Sequence, residues 1–239
     1  MTAPDDVVFL LDCDNTLLDN DRVQDDLRDH LEREFGAASR DRYWAIFEAL
    51  RAELGYADYL GALQRYRLGQ VGGAMNDPRL LLMSSFLVDY PFADRLYPRV
   101  LDAIAHLRNR GPTVILSDGD VVFQPRKIHR SGLWDAVEGR VLIYIHKERM
   151  LDDLERRYPA RRYVMVDDKL RILAAMKEIM KERLITVFPR QGHYALDPHN
   201  LSAFPPADLA IERIGDLLAC DLSRLLAPAW TSGGERQAT

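Results

Sequence analysis

Val7-Val8-Phe9-Leu10-Leu11-Asp12-Cys13-Asp14-Asn15-Thr16-Leu17-Leu18 begins as an unbroken apolar run and then meets two carboxylates one residue apart. A run this short, β-branched at its start and apolar at both odd and even positions, predicts a strand buried on both faces of a parallel sheet. Asp12 and Asp14 then stand just past its carboxyl end, where open α/β sheets bind ligands. Two carboxylates held this close repel each other unless a cation or fixed donors lie between them. Oxygen-only ligands beside a strand end suit Mg²⁺, which keeps several waters and leaves room for a phosphate oxygen. By itself the stretch is also compatible with an Asp-rich turn closing a strand, with Asn15 and Thr16 as turn or cap residues.

Outward from this stretch the period changes. Val23, Leu27, Leu31 and Phe35 recur at helical spacing from Arg22 to about Gly36. Further helices are expected over about 40–54, with Gly55 as a stop, over 59–68 and over 78–88, the last two separated by Gly72-Gly73 and Asn76-Asp77-Pro78. Residues 20–95 thus read as a helical insertion without strands. From Val100 the pattern alternates: helix 100–110, strand 113–116 ending at Ser117-Asp118-Gly119-Asp120, helix 123–131, strand 141–145 with Lys147 just beyond, and helix 148–158. Strand 163–166 then closes on Asp167-Asp168, followed by helix 169–182, strand 184–188, a short strand 208–211 and a helix 214–226. Such alternation with short connections predicts an α/β fold, a doubly wound parallel sheet covered on both faces and interrupted once after its first strand. The domains expected are a core of 1–19 and 96–227, the insertion 20–95, and a loose tail 228–239.

At 239 residues the chain is long enough for such a core, at about 150 residues, plus a smaller module. A net charge of −5 at pH 7 gives no reason to expect nucleic acid or an anionic membrane as partner. Two cysteines, Cys13 and Cys220, exclude a disulfide framework and fit a reducing cytoplasm. No apolar run approaches the roughly 18 residues of a membrane span, and no basic leader with a cleavage site precedes the first strand.

Asp12, Asp14, Ser117, Lys147 and the Asp167-Asp168 pair all follow a predicted strand directly or within a few residues. Parallel strands gather their carboxyl ends, so these residues are expected to converge, and their types suit phosphoryl transfer: a nucleophile, cation clamps and a proton donor. Singly, each has a plainer reading: Ser117 as a cap, Lys147 as a surface charge, Asp167-Asp168 as caps of the following helix.

In order and spacing, Asp12-x-Asp14-x-Thr16, Ser117, Lys147 and the acidic pair after Val166 resemble the four motifs of the haloacid dehalogenase (HAD) superfamily, whose members are mostly phosphohydrolases. The resemblance covers about residues 7–18 and 96–220; the insertion resembles the family's C1-type cap in position and helical character. It implies a Rossmann-like core and a Mg²⁺-dependent hydrolase acting on a small phosphorylated metabolite. Asp12 would be the nucleophile that forms an aspartyl phosphate, and Asp14 the acid for the leaving alcohol and then the base for water. Ser117 would donate to a phosphoryl oxygen and Lys147 would neutralise charge on Asp12 and phosphate. Asp168, with Asp167, would hold Mg²⁺ together with the Asp12 carboxylate and the Asp14 main-chain carbonyl.

Departures from the family pattern stand beside these matches. No third acid follows Asp167-Asp168, and no proline follows Lys147. Asp118 and Asp120 read as turn residues, with substrate binding as the alternative. Asp14 argues against dehalogenation, because dehalogenases of this family lack that second acid. The absence of lysine between Asn20 and Pro98 argues against a phosphonatase, which needs a cap lysine. A phosphomutase, or a non-enzymatic binding protein on the same core, are the alternatives. Arg22, Arg42, Arg65, Arg67 and Arg95 read mostly as a solvated face, with one or two available to grip a distal anion. Tyr43, Trp44, Phe47, Tyr56, Tyr59 and Tyr66 read as the packed interior of the insertion, and His193 as a surface-loop residue.

Overall fold

The computed structural model describes residues 5–69 and 76–221. The apolar run is strand β1 (Asp5–Leu11), and it is central: β2 (Thr113–Asp118) and β4 (Ala160–Val166) pair with its two edges, both parallel. The sheet continues through β3 (Val141–Tyr144) on one side and β5 (Leu184–Pro189) and β6 (Leu209–Ile211) on the other. Its order is β3-β2-β1-β4-β5-β6, parallel throughout. Side chains alternate across it as the period of two demands. Phe9, Leu11, Ile115, Val164 and Val187 face one hydrophobic cluster, while Val8, Leu10, Val114, Leu116 and Met165 face the other. Both faces are dry, so β1 has no polar side and reads in sequence as a continuous apolar run.

The first cluster also holds the insertion. Helices α1 (Asn20–Phe35), α2 (Ala37–Leu54), α3 (Tyr59–Leu68) and α4 (Pro78–Asp89) turn Val23, Leu27, Leu31, Phe47, Leu63 and Met83 into it. Local chemistry sets their limits. The Asp19 carboxylate caps α1 by accepting from Arg22 N at 3.0 Å, Asp58 caps α3 through Gly61 N at 2.7 Å, and Gly55 ends α2 at φ 81°. The chain leaves the core and returns at one place: Asp19 N donates to Arg95 O at 2.8 Å and Tyr97 N to Leu17 O at 3.0 Å.

Helix α5 (Val100–Arg108) leads into β2, and α6 (Phe123–Arg130) and the single turn α7 (Leu133–Ala136) lead from β2 to β3. Helix α8 (Leu151–Arg157) precedes β4 and α9 (Leu170–Met180) precedes β5; α10 (Gly192–Leu196) and α11 (Pro198–Ala203) lie between β5 and β6. Three expectations are corrected here. Helix 148–158 is shorter, because a 3₁₀ turn at Lys147–Arg149 carries the first residues. The segment expected as loop after Phe188 forms α10 and α11, the second started by Asp197 accepting from His199 N at 2.9 Å. The expected helix 214–226 is a 3₁₀ turn at Ile214–Leu218, wound tight by Asp216, whose carboxylate takes both Glu212 N and Arg213 N. Residues 222–226, the expected tail 228–239 and Gly72-Gly73 lie outside the described residues.

Gly111, between α5 and β2, sits where any β-carbon would stand 2.3 Å from the Val7 carbonyl oxygen of β1. The opposing atom is main chain of the central strand and cannot rotate away. Gly111→Ala is therefore expected to lower unfolding free energy by about 1–3 kcal/mol, read as a lower urea midpoint at unchanged m-value. An unchanged midpoint would mean that the α5–β2 turn gives way instead.

Candidate active site

Past the last paired residue of β1 the ladder continues for one step, Asp12 N donating to Val166 O at 2.9 Å, which brings the Asp12 carboxylate beside Asp167 and Asp168. These three side chains are buried, and one oxygen from each lies within 4.8 Å of the others. Asp12 Oδ2 and both Asp168 oxygens are buried without a hydrogen-bond partner. Lys147 answers part of this charge. Its ammonium is 2 % exposed, donates to Asp12 Oδ1 and, at 3.1 Å, to Leu116 O, and lies 2.7 Å from Asp167 Oδ2 as an ion-pair contact outside hydrogen-bond alignment. Burial alone would lower its pKa, yet Asp12 and Asp167 hold it above the usual lysine value. Burial pushes Asp167 up to about 6 against the pull of Lys147, and pushes Asp168 well up against Lys169. Lys147 is the one ammonium in contact with these three acids, and Lys169 acts on Asp168 without a hydrogen bond or ion pair to it among the described residues, so the cluster stays short of bound positive charge. Orphaned buried oxygens converging at this spacing fit an oxygen-liganded divalent cation, held by Asp12, Asp167 and Asp168.

The loop after Asp12 is wound by its own side chains. Asn15 takes the left-handed conformation at φ 61°, which its short amide tolerates. Its Oδ1 accepts from Asn20 N and Asp21 N at 3.0 and 3.2 Å, capping α1. Thr16 Oγ1 accepts from Asp168 N at 3.1 Å, tying the first motif to the fourth.

Asp14 turns away from the three clustered acids. Its oxygens accept from Lys127 Nζ at 2.7 and 2.9 Å, and it lines a cleft of about 400 Å³ between sheet and insertion. Ser117 is buried at the end of β2, its Oγ accepting from Gln124 Nε2 at 2.9 Å. The structure thus brings Asp12, Lys147, Asp167 and Asp168 into direct contact or near it, and sets Asp14 and Ser117 alongside, joined through Gln124.

A family model for haloacid dehalogenase-like hydrolases matches residues 7–179. The chain belongs to that family. Among solved structures it is similar to a candidate haloacid dehalogenase-like hydrolase of Burkholderia xenovorans LB400, at 71% identity and TM-score 0.87 over 94% of this chain and 100% of that one. L-2-haloacid dehalogenase of Xanthobacter autotrophicus shares the fold at 19% identity and TM-score 0.59, over 92% and 99% of the two chains. So does the candidate HAD-hydrolase YfnB of Bacillus subtilis, solved bound to magnesium, at 15% and 0.59, over 90% and 98%. No curated protein matches the chain. HAD hydrolases typically use a divalent metal, and Asp12, Asp167 and Asp168 form a cluster that could hold one.

Other side chains carry parts of this HAD site that the motif reading passed over. Lys127 and Gln124 lie on the buried face of α6 with Phe123 and Ile128; two polar residues on an apolar helix face were the signal available. Asp118 is corrected from turn residue to positioning group: its Oδ1 accepts from Lys147 N at 2.7 Å, seating the third motif. Asp120 does act in the turn, accepting from Val122 N and Phe123 N. Of the arginines singled out, Arg95 pairs with Asp26 and Arg65 with Glu53; the arginines that line the cleft are Arg51, bonded to Tyr194, and Arg171. Phe47 and Tyr59 line the cleft as well as packing the insertion, whereas Tyr56, expected in that interior, is half-buried at the cleft wall. Lys169 lines it too, its ammonium 5.1 Å from the Tyr194 ring centre and without hydrogen bond or ion pair among the described residues. His193 is exposed on α10, not in a loop, and its ring nitrogen meets Asp21 Oδ1 at 2.5 Å.

Acids with raised native pKa values bind protons more readily folded than unfolded, so the stability they contribute is present at low pH and is lost as pH rises from about 4 through about 6. A cation would restore it on the high side. Mg²⁺ should therefore raise the urea midpoint more at about pH 7 than at about pH 4.5, and Asp168→Asn should remove most of that difference. A metal effect equal at both pH values would contradict the assignment of this cluster.

Proposed function

We propose that the protein is a Mg²⁺-dependent phosphohydrolase that takes the phosphoryl group of a small phosphomonoester onto Asp12. The observation that carries this is the second carboxylate, Asp14, held at the cleft through both oxygens by the Lys127 ammonium, two residues beyond the nucleophile position. A halide leaves as a stable anion and needs no proton. An alkoxide does, and a carboxylate fixed beside the reacting group is a suitable donor. The dehalogenase likeness is a likeness of fold at 19% identity and does not bear on this choice.

In this reading Asp12 attacks phosphorus while the bond to the alcohol oxygen breaks, and that oxygen takes the proton of the Asp14 carboxyl. Water then attacks the aspartyl phosphate, giving its proton to Asp14 and releasing phosphate. Lys147 offsets charge on Asp12 as the anionic substrate approaches, and Ser117 Oγ, 2.9 Å from Gln124, is oriented by it toward a phosphoryl oxygen. Mg²⁺, taken by Asp12, Asp168 and the Asp14 main-chain carbonyl with Asp167 adjacent, would offset the charge of the phosphoryl oxygens. Magnesium in the Bacillus subtilis structure is consistent with that choice of ion. A small phosphorylated metabolite is the substrate class this reading takes, and nothing in the net charge calls for a nucleic acid or a membrane surface; no described helix is long and apolar enough to cross a membrane.

The test is phosphate release from aryl and metabolite phosphates, with chloride release from a 2-haloacid measured in parallel. Mg²⁺-dependent phosphate release is expected, reduced about a thousandfold or more by Asp12→Asn, without halide release. Chloride release, or phosphate release that survives chelation or Asp12→Asn, would sink the proposal.

A further inference from the structure

Lys127 is 1 % exposed, on the inner face of α6, and a buried ammonium is costly unless each of its donors is used. It has three, and three oxygens receive them: Asp14 Oδ1 at 2.7 Å, Asp14 Oδ2 at 2.9 Å and Asn20 Oδ1 at 3.0 Å. No donor remains for a substrate, so Lys127 is not itself a phosphate clamp. Both Asp14 oxygens are held, which fixes the rotation of the carboxylate as well as its place. Gln124, three residues earlier on the same helix face, lies 3.4 Å from Asp14 Oδ2 and donates to Ser117 at 2.9 Å, so α6 alone positions Asp14 and Ser117 relative to each other. The third oxygen belongs to the first residue of the insertion. Asn20 in turn donates to Tyr59 OH of α3 at 3.4 Å, so the grip on Asp14 is referred to the helices that roof the cleft.

We propose that Lys127 is the positioning residue for Asp14, fixing the acid–base carboxylate at the cleft and registering it to the insertion through Asn20. This rests on the phosphohydrolase reading, in which the placement of Asp14 matters first to the leaving oxygen that must be protonated and then to the water that must be deprotonated. The proton passes from the Asp14 carboxyl to the departing alkoxide as its bond to phosphorus breaks. A displaced Asp14 therefore hurts poor leaving groups and spares good ones, which need little protonation.

The experiment is kcat/KM, which reports the step in which the alcohol leaves, for phosphate esters of graded leaving-group pKa, from p-nitrophenyl to simple alkyl. Lys127→Met preserves length and apolar fit. It is expected to lower kcat/KM about 10- to 100-fold for alkyl esters and less than about threefold for p-nitrophenyl phosphate. In an Asp14→Asn background the same change should cost nothing further. An equal loss for every ester, or a loss that adds to that of Asp14→Asn, overturns the proposal and leaves Lys127 a structural counter-charge. If Lys127→Met does not fold, Asn20→Ala, which removes the third contact and the link to Tyr59 while leaving both Lys127–Asp14 bonds, decides: a steeper leaving-group dependence supports the registration and an unchanged one overturns it. A wild type with no Mg²⁺-dependent turnover of any ester overturns both this role and the phosphohydrolase reading; normal turnover with an unchanged slope overturns only the role of Lys127.

Discussion

Four carboxylates delivered by parallel strands to one end of a dry sheet are the constraint that the rest of this structure answers. Asp12, Asp167 and Asp168 share a buried volume in which charge is poorly tolerated, and Asp14 stands two residues away. The answers are graded. Lys147 neutralises Asp12, Lys127 neutralises Asp14, and the orphaned oxygens of Asp12 and Asp168 suit a cation. Each lysine is seated by something else: Lys147 by the Asp118 carboxylate on its main-chain N–H, Lys127 by the apolar face of α6. Charge balance and geometry are thus one arrangement, and a residue that looks structural from its burial is electrostatically part of the site.

The insertion is not an appendage to this arrangement. Its helices share a continuous hydrophobic cluster with one face of the sheet, from Leu17 and Leu18 through Phe47 to Phe92 and Phe123. Asn15 caps α1 while belonging to the loop that carries Asp12 and Asp14, and Asn20 meets Lys127. His193 and Asp21 close a further contact between α10 and α1. Arg51, over the cleft, meets Tyr194 of the same α10.

Much of this was legible in order along the chain. A strand buried on both faces cannot alternate, so β1 announced both the sheet and the position of Asp12, and every later strand carried a polar residue just past its end. What was not legible shares a physical cause. Lys127 and Gln124 act from within a helix, where a charged residue ordinarily marks the solvent face; only the contact with Asp14, 113 positions away in sequence, shows otherwise. Asp118 looked like a turn residue because its partner is a main-chain N–H supplied by a distant strand end. Arg51 was overlooked among many arginines because direction into a cleft is set by how helices pack, not by spacing. The short helices α10 and α11 lack the several turns that make a periodicity visible.

The paired hydrogen bonds between Leu17–Asp19 and Arg95–Tyr97 place the two ends of the helical segment side by side at the rim of the sheet. A segment whose ends already touch imposes no length on what is spliced between them, since closing such a loop depends only weakly on its size. Natural variation can lengthen, shorten or replace those helices while the strand ends and their acids stay in register. One reaction centre can in this way be offered to many different molecules, with the change in appetite confined to a replaceable part.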